Sequence, residues 1–213
     1  MEVLKSKNGL IIFGAAMLLS IYFIVVARSN KALLLDRVLS ESVTGIFKEQ
    51  TYPFFEAITK LGDTIGVIIV VLILLLLLWA KKRDYVGMLV LFIAVLLGNE
   101  VNKWLKGLVG RDRPLTAVDA ESLSFPSGHA MVGLTLYMLG AYLLIRSIKT
   151  GSLKWLIGII AFIIILLIGL SRLVLQDHFS TDVLGGFTIG IVWTMLWIFL
   201  YEWLCVRFPQ KRS

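Results

Sequence analysis

The chain has 213 residues, 58% of them hydrophobic and 16% charged, with a net charge of +7, two histidines and one cysteine. A soluble domain carries about 45–50% apolar and about 25% charged residues, so the shift excludes a disordered chain and argues against a soluble enzyme. Cys205 alone allows no intrachain disulfide and no multi-cysteine zinc site, and the surplus positive charge is to be tested as a membrane-topology signal before nucleic acid is considered.

Crossing a bilayer core about 30 Å thick takes roughly 20 helical residues. Six runs approach that length: Gly9 to Ala27, Ile65 to Ala80, Tyr85 to Leu105, Ala130 to Ile145, Leu153 to Leu170 and Val183 to Cys205. Lys5 and Lys7 before the first run, and Val25-Val26-Ala27 at its end, weakly resemble a signal peptide. That run is longer than the usual signal core of about 7–15 residues, so an uncleaved membrane helix is expected. The stretch from Leu33 to Leu61 is too polar to span. Its Leu35, Val38, Leu39, Val43, Ile46 and Phe47 recur at spacings of three and four until Pro53, which predicts an amphipathic helix at the outer membrane surface, with a plain interfacial loop as the alternative. The predicted fold is all-α: a polytopic membrane protein with six transmembrane helices, an amphipathic outer-face segment between the first two, and one integral-membrane domain over residues 1–213.

Six spans put both termini on one side. The tight basic clusters (Lys5 and Lys7; Lys81, Lys82 and Arg83; Arg146, Lys149 and Lys154; Arg207, Lys211 and Arg212) then share that side, which reads as cytoplasmic. Three polar islands fall on the opposite face: Lys106 to Pro114, Pro126 to His129, and Ser171 to Asp182. Polar residues at membrane spans are costly and therefore functional candidates. Both histidines lie in these islands.

Lys106, Arg113 and Arg172 would neutralise phosphate oxygens without a metal, since no Asp/Glu/His cluster reads as a divalent site. Their alternative is attraction to lipid headgroups. Ser127-Gly128 opens a helix, where a serine N-cap, glycine and free amides suit an anion. His129 in the same first turn could protonate a leaving alkoxide. His178 and Asp182 are four apart and share a face if that stretch is helical, so the carboxylate could fix the imidazole tautomer and free the other nitrogen to attack. A core histidine or a metal ligand is the alternative, though no third ligand is in evidence. Among the lesser candidates, Glu100 would neutralise Lys103, Arg111-Asp112 reads as a local loop pair, Glu202 reads as structural, and Trp79, Trp104 and Trp203 read as interface anchors.

The pattern K-x6-R-P at Lys106, Arg113 and Pro114, P-S-G-H at Pro126 to His129, and S-R-x5-H-x3-D at Ser171, Arg172, His178 and Asp182 resembles the three-part signature of the type 2 phosphatidic acid phosphatase superfamily. That family includes bacterial phosphatidylglycerophosphatases, undecaprenyl-pyrophosphate phosphatases and vanadium haloperoxidases. The resemblance implies that His178 is a nucleophile forming a phosphohistidine, that Asp182 orients it and that His129 donates the proton. Lys106, Arg113, Ser127, Gly128 and Arg172 would bind the phosphate, with no metal and no cofactor. A compact chain without extra domains resembles the phosphatidylglycerophosphatase B type. That implies hydrolysis of phosphatidylglycerophosphate drawn from the bilayer at the outer face of a bacterial plasma membrane, with no nucleic-acid partner and no implied oligomeric state. Undecaprenyl pyrophosphate is the alternative substrate, and a lipid transporter or scaffold the non-enzymatic alternative.

Overall fold

No water is available inside a bilayer to satisfy backbone amides, so an apolar run closes its own hydrogen bonds as a helix. The computed structural model of the chain describes residues 6–29, 32–117, 121–146 and 148–208, and among them it has eight α-helices and no strand. Lys5, Lys211 and Arg212 of the expected inner clusters lie outside the described residues, as do the side chains of Lys81 and Lys82.

The six apolar runs form α1 (Lys7–Ala27), α4 (Thr64–Lys82), α5 (Tyr85–Val109), α6 (Gly128–Arg146), α7 (Gly151–Val174) and α8 (Ser180–Arg207). Five of these, α1 and α5 to α8, are each long and apolar enough to cross a membrane, and the bent pair Glu49–Thr59 with Thr64–Ala80, angled by 48°, supplies a sixth candidate span. Side-chain caps define the starts. Ser6 accepts from the Gly9 amide at 2.9 Å, Asp63 from Gly66 and Asp84 from Gly87, each at 2.8 Å. Gly110, with φ at 67°, closes α5 in the left-handed conformation that glycine adopts without penalty.

The helices run further than the apolar runs did. Ser171 and Arg172 belong to the last turn of α7, and Asp182 to the first turn of α8. The stretch between α1 and α4 folds as α2 (Leu34–Ile46), a single 3-10 turn (Glu49–Thr51) and α3 (Tyr52–Thr59). Pro53 was expected to break the helical pattern. It sits instead in the first turn of α3, where a missing amide hydrogen removes no helical bond. α2 turns Leu34, Leu35, Val38 and Ile46 outward and buries Asp36, the reverse of a helix packed on a soluble core.

α6 occupies the centre, packed against α4, α5, α7 and α8, while α1 packs on α8, α2 on α7 and α8, and α3 on α7. Small residues allow this close approach. A Cβ built on Gly186 of α8 would lie 2.8 Å from the Ser127 carbonyl oxygen and 2.9 Å from the Ala130 Cβ, so the start of α6 rests directly on α8. Gly186→Ala is therefore expected to cost about 1–3 kcal/mol through overpacking, read as a lower thermal midpoint in detergent. Gly158→Ala, at a position with nothing within 4 Å, should leave the midpoint unchanged. Equal midpoints for the two variants would contradict this packing.

At the end of the bundle away from the islands, Tyr201 donates to Asp84 at 2.7 Å, Tyr142 donates to Glu202 at 2.8 Å, and Arg146 lies 3.7 Å from the same Glu202 carboxylate. Glu202 thus has the structural setting expected of it. Trp79, Trp104 and Trp203 are exposed near the ends of their helices, as interface anchors are. Cys205 is half-buried.

Candidate active site

The three islands meet at one end of the bundle, together with α2 and α3. From α5, Lys106 donates to the carbonyls of Leu123 and Ser124 and so ties down the segment that leads into α6. One turn earlier the buried Asn102 donates to the Pro126 carbonyl at 3.2 Å. A Cβ on Gly128 would stand 3.1 Å from the Asn102 side-chain oxygen, which explains a glycine at that position. The Ser127 amide donates to the Asp182 carbonyl at 3.1 Å and joins the start of α6 to the start of α8.

Arg172, at the end of α7, is held on two sides: it donates to Thr59 Oγ1 of α3 at 2.6 Å and pairs with Asp177 at 2.9 Å. Arg113 donates to the Asp177 carbonyl at 3.4 Å. Arg172, His178, Arg113 and Lys106 all lie within electrostatic range of the His129 imidazole. The turn between α3 and α4 backs that ring, since a Cβ on Gly62 would lie 3.0 Å from His129 Cδ2.

His178 is not on a helix. It lies in the turn before α8, just after Gln176, whose φ of 57° reverses the chain direction. The expected direct bond to Asp182 is also modified. Asp182 Oδ2 is 3.6 Å from His178 Nδ1, beyond hydrogen-bond distance. Ser124 fills the gap, donating to Asp182 Oδ2 at 2.5 Å and standing 3.3 Å from His178 Nδ1. Asp182 Oδ2 also accepts from the Phe179 amide at 2.9 Å, which binds the turn to the helix. With Nδ1 turned toward Ser124 and Asp182, Nε2 is left for other work.

Two further expectations change. The Ser127 hydroxyl caps nothing: it is buried without a hydrogen-bond partner. Arg111 is not half of a loop pair with Asp112. It is 1% exposed and makes ion pairs with Asp36 of α2 at 2.8 Å and Asp182 at 2.7 Å. Glu100 and Lys103 do pair, at 2.8 Å and exposed, away from the cluster. Five residues in or around the site were not singled out by the sequence: Asp36, Thr59, Gly62, Asn102 and Ser124. Only Asp36 left a trace there, because Asp36, Leu39 and Val43 repeat at helical spacing on one face.

Among the described residues, the buried side-chain atoms with no hydrogen-bond partner include three where the islands meet, Ser127 Oγ, Arg113 Nε and Arg172 Nε, as well as the Ser180 and Thr194 hydroxyls. Buried polar atoms are nearly always satisfied, so three orphans around two imidazoles mark a place for a ligand rich in oxygen acceptors. Among the described residues no group of three or more His, Cys, Asp or Glu side chains is placed to hold a metal ion. A cavity of about 260 Å³ opens between α2 and the α7–α8 turn, with Asp36, Arg37, Gln176, His178 and Ser180 in its wall.

Burial of the His178 ring, aided by Arg113 and Arg172 and opposed by Asp182, lowers its pKa from 6.5 to about 4. The imidazole is therefore neutral and carries a lone pair at neutral pH. With two histidines in the chain, 15N-histidine spectra should contain two ring systems. The one lost in His178→Ala is expected to stay neutral on acidification until about pH 4. A midpoint near 6.5, the value of a free imidazole, would contradict the burial argument.

The profile of the PAP2 superfamily matches residues 87–205, from α5 to α8. The chain is 32% identical over 201 residues to phosphatidylglycerophosphatase B of Bacillus subtilis (strain 168), covering 91% of this chain and 97% of that protein. Its structure is similar to the crystal structure of a transmembrane PAP2 type phosphatidylglycerolphosphate phosphatase from Bacillus subtilis, with a TM-score of 0.77, 28% identity, and 92% and 98% of the two chains covered. It also shares the fold of Aquifex aeolicus LpxE, with a TM-score of 0.60, 24% identity, and 78% and 96% covered.

Proposed function

The chain belongs to the PAP2 superfamily, and its apolar helices and its likeness to a phosphatidylglycerophosphatase make it an integral-membrane lipid phosphatase; we propose that it hydrolyses phosphatidylglycerophosphate to phosphatidylglycerol and inorganic phosphate through a phosphohistidine on His178. The observation that carries the reading is that Arg113 and Arg172, each with a buried Nε lacking a hydrogen-bond partner, act on both His129 and His178, with the unpartnered Ser127 hydroxyl at the start of the helix that carries His129. The likeness to a phosphatidylglycerophosphatase over almost the whole chain supports this choice of substrate.

In this reading the phosphate monoester sits among Lys106, Arg113, Arg172 and the Ser127-Gly128 turn, which spread its charge and hold it in line. His178 Nε2 attacks phosphorus as the bond to the lipid oxygen breaks. That oxygen takes a proton from His129 and leaves as the alcohol. The bound phosphate supplies the negative charge that a protonated His129 needs among three cations. Water then attacks the phosphohistidine, gives its proton to His129, and phosphate departs with His178 restored. Asp182, with Ser124, keeps Nδ1 protonated and stabilises the imidazolium of the intermediate. No step calls for a metal.

The cytoplasmic position of both termini, the outer-face position of the site and the plasma-membrane location belong to the same proposal, as does a single domain over residues 1–213. The support for the orientation is charge placement, because Lys7, Arg83, Arg146, Lys149, Lys154 and Arg207 lie at the end of the bundle away from the site. Phosphate release by the purified protein, from phosphatidylglycerophosphate, phosphatidic acid and undecaprenyl pyrophosphate with EDTA present, tests substrate and chemistry together. The first lipid is expected to give the highest kcat/KM, undiminished by the chelator. Faster release from the pyrophosphate, or loss of turnover in EDTA, would contradict the proposal.

A further inference from the structure

We infer that Asp36 and Arg111 are positioning residues that tie the surface helix α2 to the carboxylate serving the nucleophile. The inference rests on His178 and Asp182 being the reacting pair. It adds to that pair two residues outside the three-part pattern, one of which, Asp36, also lies outside the residues matched by the family profile.

Asp36, Arg111, Thr181 and Asp182 are 2%, 1%, 0% and 0% exposed. The Arg111 guanidinium divides its donors: one nitrogen reaches Asp182 Oδ1 at 2.7 Å and Thr181 Oγ1 at 2.6 Å, and the other reaches Asp36 Oδ2 at 2.8 Å. Asp36 Oδ1 in turn accepts from the Thr181 amide and hydroxyl, both at 2.8 Å. Phe179, next to the nucleophile, lies under the guanidinium with its ring centre 4.2 Å away. The two oxygens of Asp182 are thereby assigned different partners. Oδ1 belongs to Arg111, and Oδ2 faces Ser124, the Phe179 amide and His178. The plane of the carboxylate, and so the position of Oδ2 beside His178 Nδ1, follows the guanidinium, and the guanidinium follows Asp36.

Charge gives the same answer. Among the described residues two carboxylates share one guanidinium in a nearly dry cluster, one negative charge more than that guanidinium balances. A buried unbalanced charge is costly when nothing answers it. Here it is answered when the His178 ring becomes cationic on bonding to phosphorus. The facing charged groups are Arg113 and Arg172 on the phosphate side of His178 and Asp182 with Arg111 on the other. α2 supplies the second carboxylate while its Leu34, Leu35, Val38 and Ile46 point outward. Seating of that helix at the lipid surface thus bears on the geometry of the reacting pair.

The test uses the full chain in mixed micelles of phosphatidylglycerophosphate. Asp36→Asn keeps the size and the acceptor to Thr181 but removes the charge. It is expected to lower kcat about tenfold, as loss of an outer partner of a reacting group does, and to leave KM within about twofold. It should also shift the His178 ring signals in 15N spectra recorded without substrate, a readout that a loss of folded protein does not produce. Thr181→Val, which keeps both charges and loosens the same link, should move kcat and the ring signals in the same direction, and decides the matter if Asp36→Asn does not fold. A lower melting temperature with kcat and His178 signals unchanged would overturn the inference. Retained turnover by His178→Ala would instead overturn the reading beneath it.

Discussion

Replacing His178 with alanine is expected to lower kcat by at least about four orders of magnitude, the scale on which removal of an essential nucleophile acts, while the protein stays folded in the membrane. His178 sits in a turn rather than on a helix, 5% exposed, with Nδ1 toward Ser124 and Asp182 and a pKa held near 4 by burial. A neutral imidazole with one nitrogen engaged presents its remaining lone pair to the phosphate. His129 is not expected to substitute, because it approaches from α6 and in the proposed mechanism protonates the leaving oxygen. The hydroxyls nearby are committed or unaided: Ser124 donates to Asp182, and Ser127 has no partner to act as its base. Phosphate release from lipid micelles measures the effect, and normal turnover by His178→Ala would refute the nucleophile assignment.

Arg172→Ala is expected to reduce kcat/KM by about 1,000-fold, the range over which a single arginine stabilises phosphoryl transfer. Thr59 and Asp177 occupy one donor on each terminal nitrogen of Arg172, and its Nε stays buried and unpartnered. The guanidinium is thus fixed from α3 and from the α7–α8 turn before substrate arrives, so little reorganisation is needed in the transition state. A lysine keeps the charge but lacks the planar fork and cannot hold Thr59, Asp177 and a phosphate oxygen in one geometry. Arg172→Lys is therefore expected to recover no more than about a tenth of the wild-type kcat/KM. Full recovery by lysine would show that charge alone suffices there and would remove the geometric part of the argument.

The spans, and the polar residues that the fold gathers at one end of the bundle, were legible in the sequence for a simple reason. A bilayer forces long apolar runs into helices, and polar residues at their ends stand out against so apolar a background. His129, His178, Asp182, Lys106, Arg113 and Arg172 were found in that way. Residues whose role depends on a distant partner were not. Arg111 beside Asp112 looks like a local pair, and its true partners are 75 and 71 positions away. Asp36 looks like the polar side of a surface helix, yet it is the side turned inward. Ser124, Thr59 and Gly62 fall outside any pattern, because a hydroxyl that bridges two side chains or a glycine that backs a ring is defined only once the chain has folded. Helix boundaries were short at the site for a related reason. The turns Lys106 to Val109, Arg172 to Val174 and Ser180 to Asp182 are helical although each holds a polar or charged residue that interrupts the apolar run, since caps and cross-helix bonds carry them.

The covalent intermediate is the central claim, and trapping it is the most direct measurement. Purified protein mixed with lipid carrying a labelled terminal phosphate, and quenched in alkali within one turnover, should retain label on the protein. Mass spectrometry should place that phosphate on the imidazole of His178, with none on His129 and none in the His178→Ala variant. Label that never enters the protein while phosphate is released at the normal rate, or that is found on another residue, would contradict the account.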